Sequence, residues 1–360
     1  MEQETSNTQT SSGAVTQPAT PTPEVVHTSS KLLMIVGGAL LFFVLVGVGV
    51  YLFSSKSAST KMYHVGVLSA LAYFDPTIDG FKQKMTELGY VEGKNITYDV
   101  QKGPAPVGNQ TIIKKFVDDK VDLILVFPTE ASLEAKEGTK GTNIPIISTE
   151  AGIEGSGLVE NIQKPGGNLT GVRFPITEVA LKRFEILHEL VPKATHFWIP
   201  YLKGYPTVEI ALAAIRPSAE ALHITLVEAP FTTPDEVTAY LKVHADAKNI
   251  DAILTIPEPV SIIPPFIDPI YAFADLHHIP VAGVAVLDSA SGPIFSLIPD
   301  AQTFGILAAP LADKIFKGTP VGSIPIVTPN SVFVINYKAI LRLGLTVSES
   351  LLSTADKIVH

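Results

Sequence analysis

Four acidic residues follow apolar runs of the chain: Glu130 in VDLILVFPTE, Glu150 in IPIISTE, Glu258 in IDAILTIPE and Asp300 in FSLIPD. Two carboxyl groups brought together by a fold can act as general acid and general base. Such a pair also needs a group that orients the base, and the sequence places none beside these four. Other chemistry is excluded more directly. The chain of 360 residues has no cysteine, which removes disulfides, thiol nucleophiles and thiolate metal sites together. His277-His278 lacks the i, i+4 spacing of a helical zinc pair. Gly155-Ser156-Gly157 is too short for a G-x-S-x-G nucleophile elbow. Gly166-Gly167 lacks the Gly-Lys-Ser/Thr ending of a phosphate loop. The residues predict no catalysis, no metal and no cofactor.

The elements that must position the four carboxylates come next. VDLILVF-PTE (121–130) and IDAILTI-PEP (250–259) follow one formula: Asp, any residue, Ile-Leu, two more residues, then a Pro-containing turn. Each is followed, after a helix-like stretch, by an Ile-Pro step into another apolar run, at Ile144-Pro145 and Ile279-Pro280. Strands are predicted at Tyr63–Leu68, Ile96–Val100, Val121–Phe127 and Ile144–Ser148, and again at His196–Tyr201, His223–Val227, Ile250–Ile256 and Val281–Val286. Their apolar runs fit parallel strands buried on both faces. Between them run helical patterns, such as Ile78, Phe81, Met85 and Leu88, with Asp75 as cap, Pro76 at the first position and Gly89 at the end. Ile112, Ile113, Phe116 and Val117 mark the face of another helix, and Glu178–Leu190 a third. Pro217 and Pro310 fall inside helical patterns and predict breaks or bends. This alternation is an α/β design of two doubly wound parallel-sheet lobes. In open α/β sheets ligands lie beyond the carboxyl ends of the strands. The loops after Phe127 and Ile256 therefore become two jaws of one cleft, with helix N-termini offering free N–H groups to an anionic part of a ligand.

The formal net charge is −9 with 46% hydrophobic residues. An acidic chain is a poor match for nucleic acid, whose phosphates need Lys and Arg. Residues 1–30 are rich in Ser, Thr, Gln and Pro and read as a disordered tail. Residues 1–60 contain no helix-turn-helix pattern, which excludes a transcription regulator. Leu32–Phe53 then runs without a charge. About 20 apolar residues suffice to span a bilayer as a helix. Residues 31–54 thus predict one transmembrane helix, and 55–61 a short tether. Cleavage near Ser57–Ser59 stays open, and Lys31, Lys56 and Lys61 flank the run without fixing its orientation.

Four motifs then occur in order: LGYVEGKNI (88–96), GSGLVENIQKPGGNLTG (155–171), KRFEILHELVP (182–192) and INYKAILRLGLTVSESLLSTADKI (335–358). Together they resemble the ABC-transporter substrate-binding proteins related to the bacterial tryptophan- and tyrosine-binding proteins. The likeness runs from about Met62 to the C-terminus. It implies a type I periplasmic-binding-protein fold, two α/β lobes joined by a crossing-strand hinge. The implied division is lobe 1 at 62–171, lobe 2 at 172–298, a return to lobe 1 at 299–323, and a final crossing with the C-terminal segment at 324–360. Implied crossings are Asn168–Val172, Phe295–Pro299 and a third near Ile324–Val334.

The resemblance implies an extracytoplasmic receptor on the cell membrane, anchored through Leu32 to Phe53 in place of a lipidated cysteine. Its partners would be a small-molecule ligand, amino acid in type, and the permease and ATPase subunits of an ABC importer. A sensory or structural ectodomain without a transporter is the other reading. The loop after the first strand contributes to the ligand site in this family, which puts Tyr73 and Phe74 in position to stack on a ligand. Thr129 and Glu130 lie where the family has a turn into a helix, and Thr129 can cap that helix. Glu150 lies where the family has an Asp-Pro step that this chain lacks. Glu258 lies in a second-lobe turn, Pro257-Glu258-Pro259, that replaces a more polar one. Asp300 matches the family's return segment and is the implied holder of a ligand ammonium group, with an N-cap for the following helix as its alternative role.

Overall fold

The computed structural model describes residues 61–103, 107–285 and 291–360. The tail, the apolar run Leu32–Phe53 and the tether before Lys61 lie outside them, as does Val286. Among the described residues, no helix is long and apolar enough to cross a membrane. Lys61–His360 forms one compact unit.

Two sheets organise that unit. The first contains β1 (Tyr63–Ser69), β2 (Ile96–Lys102), β3 (Leu123–Phe127), β4 (Ile146–Ala151) and β5 (Leu169–Arg173). Its order is β2-β1-β3-β4-β5, and every pair is parallel. The second contains β6 (His196–Leu202), β7 (Thr225–Phe231), β8 (Ala252–Leu254), β9 (Val281–Gly283), β10 (Phe295–Pro299), β11 (Ser331–Asn336) and β12 (Lys357–Val359). Its order is β12-β11-β10-β9-β8-β6-β7. One pair departs from the all-parallel expectation: β10 and β11 are antiparallel. The chain leaves β10, visits the first lobe, and re-enters the second sheet from the opposite end.

The repeated formula occupies equivalent places. β3 lies between β1 and β4, and β8 lies between β6 and β9. Its aspartate has a structural role in both. The Asp122 carboxylate accepts the His64 N–H at 2.8 Å, at the start of β1. The Asp251 carboxylate accepts Thr195 N–H at 2.7 Å and His196 N–H at 2.9 Å, at the start of β6. Each aspartate satisfies the neighbouring strand's first donors, which no ladder partner reaches. The residues after it are buried throughout in β3, as a central parallel strand requires.

Helices α1 (Pro76–Glu87), α2 (Gln110–Asp118) and α3 (Thr129–Gly138) flank the first sheet; α4 (Ile176–Leu190), α5 (Val208–Ala221), α6 (Pro234–Val243) and α7 (Pro264–His277) follow with the second. Helix α8 (Ala301–Phe316) returns to the first lobe and packs on α1. The approach is so close that a Cβ on Gly305 would lie 1.9 Å from Thr77 O, and one on Gly80 would lie 2.1 Å from Gln302 O. Short helices α9 (Tyr337–Arg342) and α10 (Glu349–Ser353) lead to β12. The segment around Val327 is tied to the end of β5, because Val327 bridges Val172 and accepts the Arg173 N–H at 2.9 Å.

Several local expectations change. Asp75 takes the N-cap position of α1 but makes no side-chain cap bond. Its carboxylate is drawn away by Ser69 Oγ, which donates at 2.7 Å, and by Lys102. Pro217 and Pro310 break neither α5 nor α8. Pro217 is exposed, and so is Ala213 one turn earlier, so water can satisfy the freed carbonyl. In α2 only Ile113 and Phe116 are buried; Ile112 and Val117 lie at the margin of the face.

Candidate functional site

The carboxyl ends of β1, β3 and β4 from one lobe face those of β6, β8 and β9 from the other across a cavity of about 40 Å³, room for a few waters. The walls are largely apolar: Phe74, Phe174, Ile176, Ile262, Val284 and Ile298. Polar groups are few, namely Tyr73, Thr129, Glu150, Tyr205, Thr207, Glu258 and Ser261. Residues of both lobes meet here directly. A Cβ on Gly152 would come within 2.4 Å of Ile176 Cδ1 and 3.0 Å of Thr207 Cγ2, so a larger residue there would push on side chains of the other lobe.

Thr129 opens α3, but its hydroxyl does not cap that helix. Thr129 Oγ1 instead accepts the Gly152 N–H at 3.0 Å, tying the β3 loop to the β4 loop. Its own proton is free to be donated into the cleft. Glu130 follows and is buried. It does not line the cavity but stands directly behind Tyr205, whose hydroxyl donates to Glu130 Oε2 at 3.1 Å across the lobes. Glu130 Oε1 is buried without a partner. Burial pushes the Glu130 carboxyl up to about 7, with Glu134 adding to the rise.

Glu150 sits at the end of β4, where the β4–β5 register shifts between Thr149 and Ala151. Its φ is +55°, a left-handed conformation that side chains other than Gly, Asn and Asp rarely adopt. Bulges of this kind re-aim a side chain beside functional sites. The carboxyl points at Thr77, with Glu150 Oε1 2.7 Å from Thr77 Oγ1. Thr77 Oγ1 is also 2.9 Å from Ala301 O. A hydroxyl has one proton, and a carbonyl oxygen can only accept. Both contacts are satisfied when Thr77 donates to Ala301 O and a protonated Glu150 donates to Thr77. Burial holds the Glu150 carboxyl well above its usual range, in agreement with that assignment.

Glu258 lies in the second-lobe loop, ahead of a single 3-10 turn at Pro259–Ser261. Its Oε2 accepts the Leu202 N–H at 2.8 Å, and the N–H groups of Val260 and Ser261 lie near enough to favour its anion. Oε1 is buried without a partner. Burial outweighs these donors and pushes Glu258 up to about 8.

Tyr73 and Phe74 both line the cavity, meeting edge to face at 5.2 Å. Asp300 does not line it. Asp300 is exposed and caps α8, accepting Gln302 N–H at 3.2 Å. Thus the structure brings Tyr73, Phe74, Thr129, Glu150 and Glu258 to one cavity, places Glu130 behind it, and leaves Asp300 at its edge. Sequence reasoning missed Thr77, Tyr205, Thr207 and Arg183. The Gly204-Tyr205-Pro206 turn follows strand β6, so the strand-end rule that found Thr129 and Glu258 could have found Tyr205 as well. Arg183 carried no such signal, being one of several cations on a helix. It is fully buried beneath the cleft, donating through Nε to Leu297 O at 3.0 Å and through Nη1 to Thr255 O at 3.0 Å.

Among the described residues, no group of three His, Cys, Asp or Glu residues could hold a metal ion.

Residues 68–359 match the family model described as ABC transporter substrate binding protein. A curated relative, the tyrosine-binding protein of Clostridioides difficile (strain R20291), is 28% identical over 284 residues, covering 76% of this chain and 79% of that protein. A conserved domain protein of Vibrio cholerae has a solved structure at TM-score 0.71 and 26% identity, covering 83% of this chain and 100% of that one. An ABC domain from Streptococcus pneumonia, solved in complex with L-Trp, also gives TM-score 0.71, at 21% identity over 83% of this chain and 100% of that one, which supports the fold.

Proposed function

Because the chain belongs to the family of ABC transporter substrate-binding proteins, we propose that it is the membrane-anchored receptor of an ABC importer, with its cleft outside the cytoplasm. It is a binding protein rather than an enzyme. The solute is small, with an apolar or aromatic body and an amino group, of the amino-acid type. The anchor is Leu32–Phe53, and the partners are a permease and an ATPase.

One observation carries this reading: a cavity whose apolar walls and few polar groups come from both lobes. Such a composition suits a small solute fixed by a few directed contacts. Tyr73 and Phe74 offer aromatic surface on one jaw, and Ile262 and Val284 offer apolar surface on the other. The Tyr205–Glu130 bond is made only while the lobes are together. A solute touching both jaws binds the closed form more tightly than the open one and shifts the population towards it. The permease would then read the closed form. The tyrosine-binding relative supports an aromatic amino acid or a close derivative as the solute.

The test is a thermal-shift screen of the full-length chain against amino acids, their aromatic derivatives, short peptides and simple sugars. A solute at 100 times its Kd adds about 2.7 kcal/mol to native stability. A hit confined to one chemical class, which then stimulates ATP hydrolysis by the reconstituted transporter, supports the reading. A cooperative unfolding transition that no solute moves would sink it. Stabilisation without any transporter response would favour a sensory ectodomain.

A further inference from the structure

We propose that the solute of this cleft is a protonated amine, held through its ammonium by buried carboxyl groups, with no matching site for a carboxylate. This rests on the reading of the cleft as a solute site and departs from its amino-acid solute in one respect, the carboxylate.

The first ground is geometric. Glu150 and Glu258 line the cavity, and Glu130 stands one hydrogen bond behind it through Tyr205. All three are more than nine-tenths buried, at 5%, 5% and 7% exposed. Glu258 Oε1 and Glu130 Oε1 have no hydrogen-bond partner. Buried acceptors of this kind call for donors. An ammonium group supplies three, together with the positive charge that strengthens each bond to a carboxylate.

The second ground is what the places for an anion already contain. Free N–H groups at helix starts would normally receive a solute carboxylate. In the second lobe, the Leu202 N–H is taken by the chain's own Glu258, and those of Val260 and Ser261 face the same carboxyl. In the first lobe, the Glu130 carboxyl turns back on its own N–H, and Thr129 Oγ1, which accepts the Gly152 N–H, leaves a single hydroxyl proton for the cleft. Each jaw has thus placed a glutamate where a solute carboxylate would sit. A second carboxylate entering here would find these N–H groups already occupied, and would meet repulsion wherever a glutamate has ionised.

The surrounding charges point the same way. Glu130 faces Glu134 on its own helix and Tyr205 from the other lobe. Glu150 faces Thr77, Asp300 and Tyr73. Glu258 faces Tyr205. Among the described residues, no Lys, Arg or His acts on any of the three. The nearby cation is Arg183, which does not line the cavity and faces Tyr73 and Tyr271; two backbone carbonyls hold its Nε and Nη1, and its Nη2 is buried without a hydrogen-bond partner.

The empty site therefore stores protons on its carboxyls near neutral pH, and an entering ammonium displaces at least one. Binding then releases protons, so affinity rises with pH until the amine itself loses its charge.

Calorimetry on the full-length chain tests this with tyramine, phenethylamine and tryptamine against tyrosine, phenylalanine and tryptophan, and with indole-3-propionate as the amine-free acid. The amine should bind at least about tenfold tighter than its parent amino acid. Its affinity should rise up to about tenfold per pH unit between pH 6 and 8, with binding heats that differ between phosphate and Tris as released protons are taken up. Glu258→Gln should weaken the amine at least about tenfold and flatten the upper part of the pH profile, with an unfolding transition confirming that the variant is folded. An amino acid that matches or exceeds its amine overturns the proposal, as does tight binding of indole-3-propionate or an affinity independent of pH. If every amine is silent while a sugar or another neutral solute stabilises the chain, the proposal fails and the solute-receptor reading stands. If no solute of any class binds the folded protein, both fail.

Discussion

The two jaws begin from the same sequence formula and use it differently. In the first lobe, β3 runs through Pro128 into a ten-residue helix, and the glutamate in its first turn bonds Tyr205 of the other lobe. In the second lobe, Pro257 and Pro259 bracket Glu258, the chain makes only one 3-10 turn, and the glutamate folds onto the backbone of its own lobe. One carboxyl thus depends on the lobes being closed, and the other is held whether or not they are. A single two-residue difference, Pro-Thr-Glu against Pro-Glu-Pro, shifts the glutamate by one position and changes its partner.

The strongest challenge to this contrast is the pair Glu258→Ala and Glu130→Ala, compared in chemical denaturation without ligand. Loss of Glu258 leaves the half-buried Leu202 N–H without its acceptor and should cost about 1–2 kcal/mol, the lower part of the range for an unsatisfied donor. Loss of Glu130 should cost less, because only a hydroxyl at the lobe boundary loses its acceptor. Equal losses would mean that the two carboxyls are equivalent and the contrast is wrong.

A further effect is expected from pH. Both carboxyls are raised in the folded protein, Glu130 to about 7 and Glu258 to about 8, from the ordinary value of 4.5. Between those limits the folded state binds more protons than the unfolded state. Stability from these groups is full below about pH 4.5 and is lost as pH rises through 7 and 8. The ligand-free chain should therefore be less stable at pH 8.5 than at pH 5.5, by roughly 5 kcal/mol if both shifts count in full. Glu258→Gln should remove most of the loss above pH 7, and below it Glu130→Gln and Glu258→Gln should each remove about half. A melting temperature flat across this range would contradict the buried, unpaired state of both groups.

Smallest of all is Tyr205→Phe. Removing one neutral hydrogen bond across the lobes should cost about 1 kcal/mol of closure, seen as a roughly fivefold weaker ligand affinity with little change in global stability. A stability loss without an affinity loss would show that the bond holds the fold rather than the closed state.

Much of the architecture was legible because it rests on patterns with a strict period. The apolar runs located both sets of parallel strands, and the doubled formula located equivalent strands in the two sheets. Boundaries shifted by a few residues, as at β7, predicted from His223 and found from Thr225 to Phe231. The aspartate of the formula could be seen but not explained until Asp122 and Asp251 were found at the starts of neighbouring strands. Pro217 showed the opposite failure: a strong local signal for a break was overridden because its freed carbonyl faces water.

For the site, the sequence by itself determined which residue types would stand at the ends of the strands, because strand ends and their turns follow from local pattern. It identified Thr129, Glu150 and Glu258 on that basis. Only the tertiary structure decided what those groups face. That Glu130 meets Tyr205, that Glu150 meets Thr77, and that Asp300 caps its own helix outside the cavity are contacts between segments far apart in the chain or choices between competing partners. The protonation of the carboxyls depends on them in turn, since their burial arises only when two lobes close over the same space.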